Sequence, residues 1–162
     1  MRRPLIDLNV VLDALLERPP QAQAAAHLWA AAEAKRIVAL VPAHGVTTLF
    51  YLVKYGKGAA EERRAVATVL SVFEVAPVDG AVLLRALSFG WNDFEDAVCA
   101  AAAEAAGCDV IVTRDPGGFR GSPLPVVDAV TALSLLERGS GPGSVAEEGA
   151  PYRTAVKRRR RR

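Results

Sequence analysis

The stretch DFEDAVCAAAAEAAGCDVIVTRD, residues 93–115, decides the fold because a helix, a turn and a strand follow one another in it. Its alanine-rich part predicts a packed helix over 93–106 that ends at Gly107. Residues 109–113, DVIVT, predict a short strand with a continuous apolar centre. Such a strand, apolar on both sides, is typical of a parallel sheet covered on both faces. The stretch therefore predicts an α/β protein.

The rest of the chain repeats this alternation of short apolar strands and helices. Strands are predicted at residues 3–7, 37–42, 74–78 and 125–127, and helices over 9–18, 19–36, 43–56, 59–73, 79–89 and 128–138. We therefore expect one three-layer α/β/α domain, residues 1–138, with a short and mostly parallel central sheet. Residues 139–162, rich in Gly, Ser and Pro before a run of arginines, are predicted to be a disordered linker and basic tail.

The charge of the chain is divided unequally between these two parts. The formal net charge is +2. Residues 139–162 carry seven positive and two negative side chains, a net +5, which leaves −3 for residues 1–138. An arginine-rich end attracts polyanions, although a merely solvated tail has the same composition. The body is therefore mildly acidic, and any affinity of the tail for nucleic acid is expected to weaken with salt.

Several compartments are disfavoured by the sequence. No stretch is apolar over the roughly 20 residues that a membrane-spanning helix needs, and the amino-terminal residues lack a signal-peptide pattern. The two cysteines, Cys99 and Cys108, match neither a metal motif nor a disulfide framework. We therefore expect a reduced, cytoplasmic protein that does not contact membranes.

Acidic residues follow the predicted strands at what should be one edge of the sheet. Asp7 ends the first strand, and Asp115 comes just after the strand at 109–113. Ligand sites in such sheets form beyond the carboxyl ends of the strands. If the helix that contains Asp93 and Asp96 begins at the same edge, these carboxylates converge, and their repulsion favours a bound divalent cation. Oxygen ligands without a nearby thiolate or imidazole predict Mg²⁺ or Mn²⁺ rather than zinc.

The start of the helix at residue 93 has a structural interpretation as well. Asn92 and Glu95 have the spacing of a capping box, with Asn92 as N-cap and Glu95 as the reciprocal partner. Asp93 and Asp96 lie three positions apart and should share one side of the helix, with Glu95 turned away. Either aspartate is also a favourable charge for the helix dipole. Glu95 is therefore interpreted as a capping residue.

Four further side chains are interpreted as ordinary parts of a domain. Asp13 is expected to be solvated on the surface of the first helix, His27 and His44 to be single histidines without partners, and Cys99 to be inert packing.

Two motifs together resemble the PIN-domain ribonuclease family. Residues 5–16, LIDLNVVLDALL, give an apolar strand, then Asp7, then Asn9 opening a helix. Residues 93–119 give an acid at the start of an alanine-rich helix, a short strand and a T-R-D turn before a Phe. The resemblance covers about residues 4–137. The chain also resembles the large group that contains the toxins of VapC-type toxin–antitoxin pairs.

The resemblance implies a metal-dependent endoribonuclease that hydrolyses RNA phosphodiester bonds with one or two Mg²⁺ or Mn²⁺ ions. Asp7, Asp96 and Asp115 would bind the metal, Asn9 would orient Asp7 or a metal-bound water, and Thr113 would donate a hydrogen bond within the acidic cluster.

The chain departs from the family pattern on the helix over 43–56. Many family members carry a Glu there, whereas this helix has no acid. Thr47 or Thr48 occupies the equivalent place, and Asp93 is the candidate to supply the missing charge. This departure favours the alternative of a catalytically weak or inactive PIN-fold module that binds RNA or protein.

The expected partners follow from the same resemblance. Candidates to hold RNA phosphates are Arg114, Arg120, Lys54 and Lys57. An antitoxin and a second copy of the chain, giving a homodimer, are the implied protein partners. The apolar segment at residues 49–52 suits such an interface and suits an internal core helix equally well. A phosphoacceptor receiver domain is a weaker alternative, because the first strand lacks an adjacent acidic pair and no late strand ends in Lys.

Overall fold

A computed structural model describes residues 1–57 and 61–139 of the chain. Its strands are β1 (Pro4–Ile6), β2 (Leu40–Pro42), β3 (Glu74–Ala76), β4 (Val110–Val112) and β5 (Val126–Val127). Its helices are α1 (Leu8–Leu15), α2 (Ala22–Glu33), α3 (Ala43–Lys57), α4 (Glu61–Val72), α5 (Gly80–Ser88), α6 (Phe94–Ala105) and α7 (Ala129–Gly139), with a 3-10 turn at Pro116–Phe119. The predicted tail beyond Gly139 and the side chain of Lys57 lie outside what the structure describes.

The five described strands form one parallel sheet in the order β3-β2-β1-β4-β5. The central strand is β1, in which Leu5 lies opposite Leu40 of β2 and Ile111 of β4. Because every strand runs in the same direction, all the carboxyl ends lie at one edge of the sheet. The predicted three-layer α/β/α architecture is therefore confirmed.

Helices cover both faces of this sheet. Buried side chains of α1, α2, α3 and α4 pack with Ile6 and Val112 on one face. On the other face, α5 and α6 pack against Leu5 and Ile111. The alternation of neighbouring strand residues between the two faces follows from the period of two of an extended chain. All seven residues 97–103 of α6 are buried, and six of them are short side chains, so this helix lies close to the sheet.

Several boundaries differ from the sequence prediction by up to three residues, and two of them are instructive. The strand predicted over 37–42 begins only at Leu40, although Ile37 is buried in the preceding loop. The helix predicted over 19–36 begins at Ala22, after the Pro19–Pro20 peptide bond. A residue that precedes proline avoids the helical conformation, which delays the helix start. The predicted end of α6 at Gly107 is confirmed, and Gly107 has the positive φ of +65° that favours glycine there.

Among the described residues, none of the helices combines the length and apolarity needed to cross a membrane.

Candidate metal-binding site

Asp7 lies at the carboxyl end of the central strand and is held there from two sides. Its backbone N–H donates to the carbonyl of Val112 in β4, 2.9 Å away. Its carboxylate Oδ2 accepts hydrogen bonds from Asn9 Nδ2 and from Thr113 Oγ1, each at 2.7 Å. Thr113 is fully buried. The Asp7 carboxylate is therefore fixed in orientation by one residue of α1 and one from the end of β4.

Asn9 connects the start of α1 to the turn that follows β4. Besides Asp7, its Nδ2 lies 3.2 Å from Thr113 Oγ1, and its Oδ1 accepts the backbone N–H of Arg114 at 3.0 Å. Thr113 Oγ1 also accepts the backbone N–H of Asp115 at 3.3 Å. Because an Asn side chain offers both donors and an acceptor, it satisfies both segments at once. The network thereby links the segments that carry Asp7 and Asp115.

Asp96 and Asp115 approach each other across Gly118. A Cβ atom added at Gly118 would lie 2.5 Å from Asp96 Oδ2 and 4.0 Å from Asp115 Oδ2. The two oxygens are therefore no farther apart than the sum of these distances. Phe119 anchors the same turn, being 3% exposed with its ring 6.0 Å from that of Trp91. A side chain at position 118 would push the Asp96 carboxylate away from its present place beside this turn.

The electrostatic field of the site is strongly negative. Burial, followed by the charges of Asp93, Asp7, Asp115 and Glu95, raises the pKa of Asp96 to about 6. Burial also raises the pKa of Asp7, although hydrogen bonds from Thr113 and from the Leu8 backbone act in the opposite direction. A nearby cation would relieve both effects, because it favours the ionised carboxylate. The raised pKa values therefore mark a place where positive charge is favourable.

The ionised carboxylate of Asp96 is expected to destabilise the ion-free protein at neutral pH. Its pKa is raised from 3.8 to about 6, so its contribution to the free energy of unfolding is full below pH 3.8 and is lost as pH rises through 6. We therefore expect Asp96→Asn to unfold at a higher temperature than wild type at pH 7.5 in EDTA. The advantage should shrink as pH falls below 6, as measured by thermal unfolding across pH.

The matched control for this stability experiment is Asp128→Asn. The backbone N–H of Thr131 holds the pKa of Asp128 below its usual value, so this substitution should give no such gain. An unfolding temperature for Asp96→Asn below that of wild type at pH 7.5 would contradict the unfavourable negative field at Asp96.

The start of α6 corrects the predicted capping box. The N-cap is Asp93 rather than Asn92, and Asp93 Oδ1 accepts the backbone N–H groups of Glu95 and Asp96 at 2.9 and 3.1 Å. Asp93 is thus engaged as a cap while its charge still acts on Asp96. Glu95 does not turn away from the site, since its charge raises the pKa values of both Asp7 and Asp96.

His44, predicted to lack a partner, lies beside this site. Its Nε2 is 4.0 Å from Glu95 Oε1, and among the described residues its buried Nδ1 has no hydrogen-bond partner. Burial lowers the pKa of His44, while the charges of Glu95 and Asp7 act to raise it. The hydroxyls of Thr47 and Thr48 both donate to the His44 carbonyl, so the structure engages them within α3. The sequence signal for His44 was its position two residues beyond β2, at the edge where sites form.

Asp13 was predicted to be solvated, and this was wrong. Its side chain is 1% exposed, and its Oδ1 accepts a hydrogen bond from Arg114 Nη1 at 3.0 Å. Asp13 lies four residues after Asn9 in α1, on the same side of the helix. Arg114 is thus attached to α1 twice, by its backbone to Asn9 and by its guanidinium to Asp13. This double attachment fixes the segment that leads to Asp115.

The donor set fits a hard divalent cation in its chemistry. As placed, no three His, Cys, Asp or Glu side chains in residues 1–57 and 61–139 lie close enough together to hold an ion. Asp7 is held by two side-chain donors, Asp96 is half-buried, and Asp115 is exposed, with its Oδ1 accepting the backbone N–H of Gly117 at 3.1 Å. Carboxylate oxygens in a field that already favours positive charge are suitable ligands for Mg²⁺ or Mn²⁺.

Comparison with known proteins identifies the family. A PIN domain family model matches residues 3–116, which is most of the chain. The chain therefore belongs to the PIN domain family. No curated protein matches the sequence.

Several solved structures with the same fold are described as toxins or toxin–antitoxin complexes. A toxin–antitoxin complex from Klebsiella pneumoniae is 19% identical with a TM-score of 0.59, covering 78% of this chain and 97% of that chain. VapC20 of Mycobacterium tuberculosis, a toxin that cleaves the Sarcin-Ricin loop, is 19% identical with a TM-score of 0.56, covering 67% and 86%. VapBC2 of Rickettsia felis, bound to a promoter DNA fragment, is 17% identical with a TM-score of 0.61, covering 78% and 98%. At these identities the likeness establishes the fold.

Proposed function

We propose that this protein is a metal-dependent endoribonuclease that hydrolyses RNA phosphodiester bonds in the cytoplasm. The observation that carries the proposal is the placement of Asp7, Asp96 and Asp115 at one edge of the sheet, where burial and the charges of the neighbouring acids raise the pKa of Asp96 to about 6. Membership of the PIN domain family supports it. Mg²⁺ or Mn²⁺ would be held by these three carboxylates.

The residues of the chain would divide the work between holding and orienting. Asp7 would present a fixed oxygen, because Asn9 and Thr113 donate to it at 2.7 Å. Asp96 and Asp115 would complete the site, with Asp115 Oδ1 also accepting the backbone N–H of Gly117. A bound ion would supply the positive charge that activates water and stabilises the leaving 3′ oxygen. Asp93, bound to the backbone of its own helix, would contribute charge without moving.

Substrate phosphates need cations close to this acidic site. Arg120 and Lys54 are exposed, and the Arg114 side chain is 43% exposed although it pairs with Asp13. Arg114 lies next to Asp115 in the chain, so a phosphate at the acids would come within reach of its free nitrogen atoms. We propose that these cations position the RNA backbone, which carries no sequence information by itself. Thr47, exposed on the first turns of α3, is a further candidate for contact with RNA.

The proposal predicts cutting that depends strictly on a divalent ion. Incubation with a mixed pool of structured and single-stranded RNA should give cleavage with Mn²⁺ or Mg²⁺, none with EDTA, and recovery when excess Mn²⁺ is added. An ion that binds only the folded state also stabilises it, by about 2.7 kcal/mol at a hundred times its Kd. Thermal unfolding with and without Mn²⁺ therefore reports binding independently of cleavage.

The second candidate function is an inactive PIN-fold binding module. The absence of an acid from α3 favours it, since one expected ligand position there is occupied by other residues. The absence of both RNA cutting and stabilisation by Mn²⁺ would support this module and refute the nuclease. Stabilisation by Mn²⁺ without cutting of the pool would point to a specific RNA target.

The relatives also support a toxin role with an antitoxin partner. The structural relatives include toxin–antitoxin complexes, and apolar side chains are exposed on α3, where Tyr51 is 57% and Leu52 45% exposed. We propose that such surfaces bind an antitoxin and a second copy of this chain. Failure to co-purify with the product of the adjacent gene would count against the first partner. A monomer mass from light scattering would count against the second.

A further inference from the structure

His44 lies at the edge of the sheet that carries the acids. Helix α3 begins at Ala43, directly after Pro42 ends β2, and β2 neighbours the central strand that ends at Asp7. The His44 side chain is 25% exposed, so one part of the ring is enclosed and another is accessible. Its position therefore gives the ring access to the site described above.

The separation between His44 and Glu95 is informative. Nε2 and Oε1 are 4.0 Å apart, beyond the roughly 2.7–3.2 Å of a hydrogen bond. A divalent cation lies about 2.0–2.2 Å from an imidazole nitrogen or a carboxylate oxygen. Two such ligands of one ion are therefore at most about 4.4 Å apart. The observed spacing falls within that limit, and the Glu95 side chain is exposed, so its rotation can bring the two side chains onto one ion.

We propose that His44 Nε2 and Glu95 Oε1 form a nitrogen–oxygen ligand pair that makes this site bind Mn²⁺ in preference to Mg²⁺. The inference rests on the proposed nuclease function, whose metal-binding acids lie beside this pair. Mg²⁺ takes oxygen ligands almost without exception, whereas transition-metal ions also accept imidazole. His44 thereby supplies from α3 the metal ligand that the acid-free sequence of this helix lacks.

Competition between the two ions tests the preference. The chain has only two histidines, and His27, exposed on α2, provides the matched control. Free Mn²⁺ is measured by electron paramagnetic resonance while Mg²⁺ is titrated in, for wild type, His44→Gln and His27→Gln. His44→Gln should weaken Mn²⁺ binding at least about tenfold and change Mg²⁺ binding much less. His27→Gln should match wild type.

A spectroscopic measurement tests direct ligation. Pulsed electron paramagnetic resonance of the Mn²⁺-loaded protein should detect a nitrogen coupling in wild type and in His27→Gln. Labelling histidine alone with ¹⁵N should change that coupling, and His44→Gln should abolish it. Thermal unfolding of the ion-free variants verifies that each one is folded.

The outcomes separate this inference from the proposed function. Mn²⁺ binding with no histidine coupling, or with the same Mn²⁺-to-Mg²⁺ preference in His44→Gln, would overturn the role of His44 and leave the nuclease proposal intact. Failure of the wild type to bind either ion would overturn both.

Discussion

Asp7→Asn is expected to reduce metal-dependent RNA cleavage at least about a thousandfold. Charge stabilisation by a bound ion is worth several kcal/mol in the transition state, and each 1.36 kcal/mol is a factor of ten in rate. The substitution removes the negative charge of the one carboxylate that the fold fixes in place. Because Asn9 Nδ2 and Thr113 Oγ1 both donate to the single oxygen Oδ2, the amide oxygen of asparagine can accept both bonds and keep the side chain oriented.

The measurement is single-turnover cleavage of RNA by purified wild type and variant at saturating Mn²⁺. The control is Asp79→Asn, because Asp79 caps α5 by accepting the backbone N–H of Val82 at 2.9 Å, and Asn caps helices equally well. Because burial raises the pKa of Asp7, Asp7→Asn should remain folded in the absence of ions. Retention of even a tenth of the wild-type rate in Asp7→Asn would refute a catalytic role for the fixed carboxylate.

Arg114→Met is expected to lower the free energy of unfolding by about 3–5 kcal/mol. The substitution keeps most of the aliphatic stem but leaves the 1%-exposed carboxylate of Asp13 without its cation. Breaking a buried ion pair by removing one partner costs this much because a buried charge is left uncompensated. Asp13 Oδ2 already has no hydrogen-bond partner among the described residues, so no second contact compensates for the loss.

Removal of the anionic partner instead should lower the free energy of unfolding less than Arg114→Met does. Comparison of the two single variants therefore tests the mechanism. In Asp13→Leu the remaining guanidinium is 43% exposed and can turn into solvent. The double variant, Asp13→Leu with Arg114→Met, should therefore be more stable than Arg114→Met alone. Urea unfolding of all three variants measures these differences, with Arg120→Met on the exposed part of the same turn as control. Equal losses in the free energy of unfolding for Arg114→Met and Asp13→Leu would contradict the expected difference between the two partners.

The sequence was sufficient for the fold because its signals are local and mutually consistent. The apolar centre of β4 and the glycine after α6 mark their elements without reference to the rest of the chain. Parallel pairing then brings strand ends to one edge, which is why Asp7 and Asp115 could be placed together from their positions alone. The start of β2 was less predictable, since buried Ile37 resembles a strand residue but precedes the paired segment.

The missed features of the site depend on contacts between distant segments. From the sequence alone Asp13 has the pattern of a solvated helix residue, and only the fold brings Arg114, 101 positions later, to it. The capping box failed because Asp93 competes with Asn92 for the same role and is one residue closer to the first turn. The metal-binding roles of the acids, and those of Asn9, Thr47 and Arg114, stay predictions.

The position of β1 at the centre of the sheet has a consequence for the synthesis of the protein. The ribosome makes Asp7 before its hydrogen-bond partner Thr113, which follows 106 positions later. The acids cannot meet until β4 has been translated and has inserted beside β1. On the proposed function, an incomplete nascent chain therefore has no nuclease centre. If the proposed nuclease activity is correct, a nascent chain that lacks β4 cannot cleave the RNA of the ribosome that carries it.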